Sequence, residues 1–179
     1  MIAPAMLSFL AAVSLDAAEA MNERSSPAIA RYGSIVPVPG AAMRADPKLN
    51  YRVAFSVTKA ATRSDQINPG LEKVARYVNL LRAEGVPGRR VSIVVAVHGA
   101  ATSSLLTDEA HVLRYRSPNP NVELVTGLRE AGVSVHVCGQ ALAGQKIERT
   151  SILPGVLVDL SALVTLTTLQ LKGWALVTD

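Results

Sequence analysis

From residue 51 onward the apolar positions switch between two rhythms. Residues 51–58 are mostly β-branched, aromatic and small apolar residues, which predicts a first strand. Asn68-Pro69 then opens a helix, with Asn as N-cap and Pro at the first helical position. Leu71, Val74, Ala75, Val78 and Leu81 fall on one stripe at helical spacing, and Glu72, Lys73, Arg76 and Arg82 fall off it. Gly85 ends that helix. Residues 91–97 form a Val/Ile/Ala run, as in a strand buried on both faces. A short helix is predicted between residues 104 and 115, with Ser103 and Ser104 as caps and His111 exposed on its surface.

Asn119-Pro120 starts another helix by the same device, with Leu124, Val125 and Leu128 inward and Gly132 as its stop. Residues 133–137 predict a third strand and residues 156–160 a fourth. Ser161 caps a last helix bearing Leu163, Leu166, Leu169 and Gln170, closed by Gly173. Val164, Thr165, Thr167 and Thr168 lower its helix propensity and would suit a strand, but length and the closing glycine favour a helix. Residues 174–178 predict a fifth strand. Strands alternating with helices give βαβ units, a parallel sheet and right-handed crossovers. The order of the strands does not follow from the pattern.

The first 50 residues behave differently. Residues 2–15 are almost wholly apolar, and Ala18-Glu19-Ala20 has the small-x-small form of a signal-peptidase site. The run is shorter than the ~20 apolar residues a membrane span needs. Residues 1–20 therefore read as a signal peptide, which places the mature chain in the periplasm or outside the cell. An apolar N-terminal helix or a misplaced start would leave it cytoplasmic. Cleavage after Ala20 would raise the formal charge from +4 to +6. Residues 21–50 contain Pro27, Pro37, Pro39 and Pro47 and read as an extended arm. Residues 32–39 could lie across the domain or reach a neighbouring subunit. The folded domain is expected over residues 51–179.

Composition narrows the function classes. Hydrophobic residues make up 49% of the 179, and aromatics only 4%, so the core is aliphatic. The 18 Lys and Arg residues are scattered and not interleaved with aromatics, so no nucleic-acid platform is expected. A single cysteine excludes an internal disulfide and a cysteine-rich zinc site. His98, His111 and His136 lack metal-binding spacing, and no metal or cofactor is expected. Gly139 and Gly144 have phosphate-loop spacing, but Gln145 stands where a lysine is required.

Candidate chemistry gathers at the carboxyl ends of the strands, where open parallel sheets collect ligands. Cys138, Gly139 and Gln140 follow the third strand. A helix starting there would offer Cys138 free N–H groups and a partial positive charge, which favour thiolate. Gly139 permits close approach of backbone or substrate. The Gln140 side chain could donate to a bound sulfur or oxyanion. His98 and Gly99 end the second strand, where His98 could bond a thiolate, take up a proton, or simply be satisfied at the core edge. Lys59, with Arg63, follows the first strand and could raise the local potential. A free cysteine is also often just a small buried hydrophobe.

Several segments together are similar to the DsrE/DsrF-like family. They are Asn68-Pro69-Gly70-Leu71-Glu72, Val95-Ala96-Val97-His98-Gly99, Asn119-Pro120-Asn121, Val137-Cys138-Gly139-Gln140-Ala141-Leu142, Leu153-Pro154-Gly155-Val156 and Gly173-Trp174-Ala175-Leu176. The resemblance implies a three-layer α/β/α sandwich on a five-stranded, mostly parallel sheet of flavodoxin-like type. It also implies homo-oligomers, trimers or hexamers, and a cysteine at the position of Cys138 that carries sulfane sulfur as a persulfide. The partners would be a sulfur donor and an acceptor protein or small thiol. A small-anion or thiol-compound binding module and a structural oligomer subunit remain alternatives.

Overall fold

A computed structural model describes residues 28–179. The expected signal peptide and the start of the arm lie outside the described residues. Five parallel strands form one sheet: β1 Tyr51–Val57, β2 Val91–Val97, β3 Ser134–Cys138, β4 Leu157–Asp159 and β5 Ala175–Thr178. Their order across the sheet is β4-β3-β2-β1-β5. Five α-helices connect them: α1 Pro69–Ala83, α2 Asp108–Tyr115, α3 Val122–Glu130, α4 Gly139–Gln145 and α5 Ala162–Leu171. The helical alternative for residues 162–171 is the one adopted, β-branched content notwithstanding.

Alternation along the strands separates two faces. Val53, Phe55 and Val57 of β1, Ile93, Val95 and Val97 of β2, and Val135 and Val137 of β3 share the main core with α1 and α3. Leu71, Val74, Leu124 and Leu128 are the helical half of that core, and each is fully buried. The other face is built from small and polar residues, among them Ser56, Ala96, His136 and Cys138. There Ala96 and Cys138 pack against Ala162 and Leu166 of α5.

This division follows from the path of the chain. β1 to β4 step across the sheet in one direction, so right-handed crossovers keep α1, α3 and α4 on one side. Leu142 of α4 accordingly sits in the main core. From β4 at the edge the chain must return past three strands to reach β5, and right-handed passage puts α5 on the opposite face. The helices after β3 and β4 therefore leave toward opposite sides of the sheet.

The Asn-Pro devices are joined to each other. Asn68 caps α1 by accepting from the N–H of Gly70 and Leu71, at 2.9 and 3.2 Å. Its own N–H donates to Asn121 Oδ1 at 2.7 Å, and its Nδ2 donates to Ser104 Oγ and the Lys59 carbonyl. Asn119 Oδ1 accepts from Asn121, while its Nδ2 donates to the carbonyls of Ser104 and Leu106. Asn119 thus makes a turn before α3, and the helix itself begins at Val122.

Two details differ from the sequence pattern. The helix after His98 is capped by Thr107, not by Ser103 or Ser104, because a 3-10 segment at Gly99–Leu105 intervenes. His111 is buried, since its Nδ1 pairs with the Ser117 carbonyl at 2.6 Å, which satisfies the ring without water. The arm lies across α1, where Asn79 accepts from Ile29 N–H and donates to the carbonyls of Ile29, Tyr32 and Gly33.

Candidate functional site

The switch in helix direction falls between β3 and β4, whose last paired residues are Cys138 and Asp159. Neighbouring strands that send their connections to opposite faces leave a crevice at their carboxyl ends. Cys138 occupies it. It is at once the last residue of β3 and the N-cap of α4.

The sulfur lies between two helix starts. Cys138 is the N-cap of α4, without a side-chain cap bond, and Ala162, the first residue of α5, packs against it. Ser161 caps α5, its hydroxyl oxygen accepting from Leu163 N–H. Burial pushes the thiol pKa up, the polar groups of Ala162, Ala141, Gln140 and Ser161 around it pull it down, and the net direction is below the ordinary thiol value. Cys138 is 7% exposed, so access to it is narrow.

A second polar group adjoins the sulfur on the same face. Asp159 accepts from His136 Nδ1 at 2.9 Å to each carboxylate oxygen, and from the hydroxyl of Thr165 on α5. A carboxylate only accepts, so His136 Nδ1 carries the proton. Nε2 of the same ring pairs with Ser134 Oγ at 2.8 Å. The linkage Ser134–His136–Asp159 has the connectivity of a hydrolytic triad. The helix starts whose N–H groups could serve an oxyanion lie beside Cys138 instead.

A model of the DsrE/DsrF-like family matches residues 51–178. The chain belongs to that family. Two solved structures share its fold. The protein MTH1491 of unknown function from Methanobacterium thermoautotrophicum superposes with a TM-score of 0.56 at 22% identity, covering 72% of this chain and 99% of that one. The ychN protein from E. coli gives 0.52 at 18% identity, with the same coverage of both chains. Both support a DsrE-like, flavodoxin-like α/β fold. Curated proteins give no match.

Within this DsrE-like chain the sequence-derived candidates divide. Cys138, Gly139 and Gln140 come together at the start of α4. The Gln140 side chain is directed to the Leu160 carbonyl at 3.5 Å. Gly139 opens α4 directly beneath the Asp159 carbonyl. His98 and Cys138 lie one position beyond the paired Val97 and Val137, on the same face. The His98 ring is engaged elsewhere, with Nε2 2.9 Å from Ser56 Oγ. Burial lowers its pKa, against an opposing pull from Asp179, so the imidazole is neutral at pH 7. Gly99 takes a positive φ of 57° and its carbonyl accepts from Gln145 Nε2, which ties the end of β2 to α4.

Lys59 stands apart from the sulfur. Its N–H and that of Thr58 donate to the Asp179 carboxylate, and its ammonium reaches the Asp179 carbonyl. Sequence reasoning missed Ser161, Ala162, Asp159 and Thr165. Ser161 was visible as a cap, but nothing in the pattern placed its helix over β3. Among the described residues no cluster of three or more metal-binding side chains occurs, and no helix is long and apolar enough to cross a membrane.

Proposed function

We propose that Cys138 is a persulfide carrier in a sulfur-relay reaction. The observation that carries this reading is the place of Cys138 at the β3–β4 crevice, where it caps α4 and packs against the first residue of α5, so that two helix starts favour its thiolate form. In the step envisaged, the thiolate attacks the outer sulfur of a donor such as thiosulfate. A new S–S bond forms on Cys138, the old S–S bond breaks, and sulfite leaves with the electron pair. No proton or external oxidant is needed. The outer sulfur then passes to a thiol of an acceptor protein or small molecule, because one cysteine cannot resolve the persulfide internally. Narrow access at Cys138 suits a small donor.

Intact mass measured after incubation with thiosulfate or polysulfide tests the reading. The expected result is a gain of one sulfur atom in the wild type, reversed by a small thiol and absent in Cys138→Ser. An unchanged wild-type mass overturns it. The alternative of an anion-binding module draws less support, since the free N–H groups at the end of β1 already hold Asp179.

A structural observation favours association of copies alongside this chemistry. Helix α5 carries no charged residue, and Leu163 and Leu171 are 73% and 89% exposed. Helices apolar on all sides are normally buried. We infer that copies of this chain assemble, as trimers or hexamers, through the face that α5 covers. Export by cleavage after Ala20 is proposed from the apolar run at residues 2–15. N-terminal sequencing of protein recovered from the periplasm and the medium checks it.

A further inference from the structure

Asp159 ties two elements together at the one place where both touch the sulfur's surroundings. Its carboxylate accepts from His136 on β3 and from Thr165 on α5. Thr165 lies one helical turn beyond Ser161, and both its N–H and its hydroxyl bond the Ser161 carbonyl, at 3.0 and 3.1 Å. The first turn of α5 is therefore fastened to Asp159 through Thr165. That turn begins with Ala162, which packs directly against Cys138. On its other side, the Asp159 carbonyl packs against Gly139, the first residue of α4.

We propose that Asp159 is a positioning residue for Cys138: by clamping Thr165 to His136 it fixes the start of α5 against the sulfur. The carboxylate does not act on the sulfur as a charge. As a nearby anion it would disfavour a thiolate, whereas as a clamp it keeps the N-terminal end of α5, whose partial positive charge favours a thiolate, in place. The two roles have opposite signs, which makes them separable. The inference rests on Cys138 being a working thiolate, and it adds which residues keep it so.

The ionisable groups on this face are His136 on β3, His98 at the end of β2, Arg52 on β1, Asp179 after β5 and Asp159 itself, and α5 contributes none within its length. Changes in the Cys138 titration after substitution of uncharged Thr165 therefore report geometry.

The experiment is the rate of iodoacetamide alkylation of the folded protein against pH. Wild type, Thr165→Val, Thr165→Ser and Asp159→Asn are compared, with circular dichroism to verify the fold. The wild-type midpoint should lie below that of a free thiol. Thr165→Val should raise the midpoint by about one unit, so that alkylation at pH 6 slows about tenfold. Thr165→Ser, which keeps the hydroxyl, should restore it. Asp159→Asn should also raise the midpoint, although it removes a negative charge.

A lowered midpoint in Asp159→Asn, or an unchanged one in folded Thr165→Val, overturns the positioning role and leaves the relay reading standing. A wild-type midpoint at the free-thiol value overturns both. If Asp159→Asn does not fold, the Thr165 pair decides alone.

Discussion

A Cβ placed on Gly139 would stand 2.6 Å from the carbonyl oxygen of Asp159. That is closer than a carbon and an oxygen can approach, and the carbonyl belongs to backbone held on both sides. Gly139 is thus set by the neighbouring strand and not by its own backbone angles. Gly139→Ala must push β4 and the start of α5 away from α4. We expect a loss of about 1–3 kcal/mol in urea unfolding and slower alkylation of Cys138 at neutral pH. Wild-type reactivity in this variant would mean that the placement of α5 does not govern the thiolate.

The asparagine network at the other helix starts should carry more stability than a surface cap. Asn68 and Asn121 are buried, and Asn68→Ala removes the cap of α1 while leaving Ser104 and the Lys59 carbonyl without that partner. We expect a cost of about 3 kcal/mol for Asn68→Ala. Lys172→Ala, on a side chain with no polar partner among the described residues, serves as the reference and should cost less than about 0.5 kcal/mol. Chemical denaturation of the two variants makes the comparison.

Asp179 gives the protein a defined response to acid. Burial raises its pKa, but hydrogen bonds from the N–H of Lys59 and Thr58 and from the Thr58 hydroxyl prevail, and the net shift is downward. A carboxyl depressed in the folded state stabilises it fully above the unfolded value, about 3.9, and the contribution is lost as pH falls through the folded value. Asp179→Asn should therefore cost about 1 kcal/mol at pH 7, discounted for the solvent at this rim. The difference from wild type should shrink toward zero below about pH 4. Urea melts at pH 7 and pH 3 check both ends of the window.

The exposed leucines of α5 make the proposed assembly testable without touching the site. Leu163 and Leu171 are exposed, whereas Ala162 and Leu166 pack against Ala96 and Cys138 of the sheet. Leu163→Glu combined with Leu171→Glu should leave the circular dichroism spectrum unchanged. Light scattering after size exclusion should show the mass of a single chain, where the wild type shows a multiple. An unaltered multiple in the double variant would move the interface elsewhere.

Much of the fold was legible because its signals are local. Asn-Pro pairs announced α1 and the turn into α3, and the valine runs gave β1 to β3 almost to the residue. Each of these needs only a few neighbouring positions. The strand order is set by long-range pairing, such as Ser56 with both Ala96 and Thr178, which no window of sequence contains. The site divides in the same way. Cys138 and Gly139 could be found because a strand meets a helix there. Asp159, Ser161 and Thr165 could not, because their relation to the cysteine exists only once β4 lies beside β3. Asp159 also reads in sequence as an ordinary acidic residue at the end of an apolar run.

Asn79 has a practical consequence for handling this protein. The family match begins at residue 51, yet Ile29 is only 4% exposed, and a Cβ on Gly33 would collide with the backbone of Ala75 and Arg76. A truncation designed from the family boundary would strip a glued-down strip of chain from its seat. It would uncover greasy surface on α1 and leave the Asn79 amide, which fastens the arm by four hydrogen bonds, with nothing to grip. Shortened versions of the chain should keep everything from Ala28 onward.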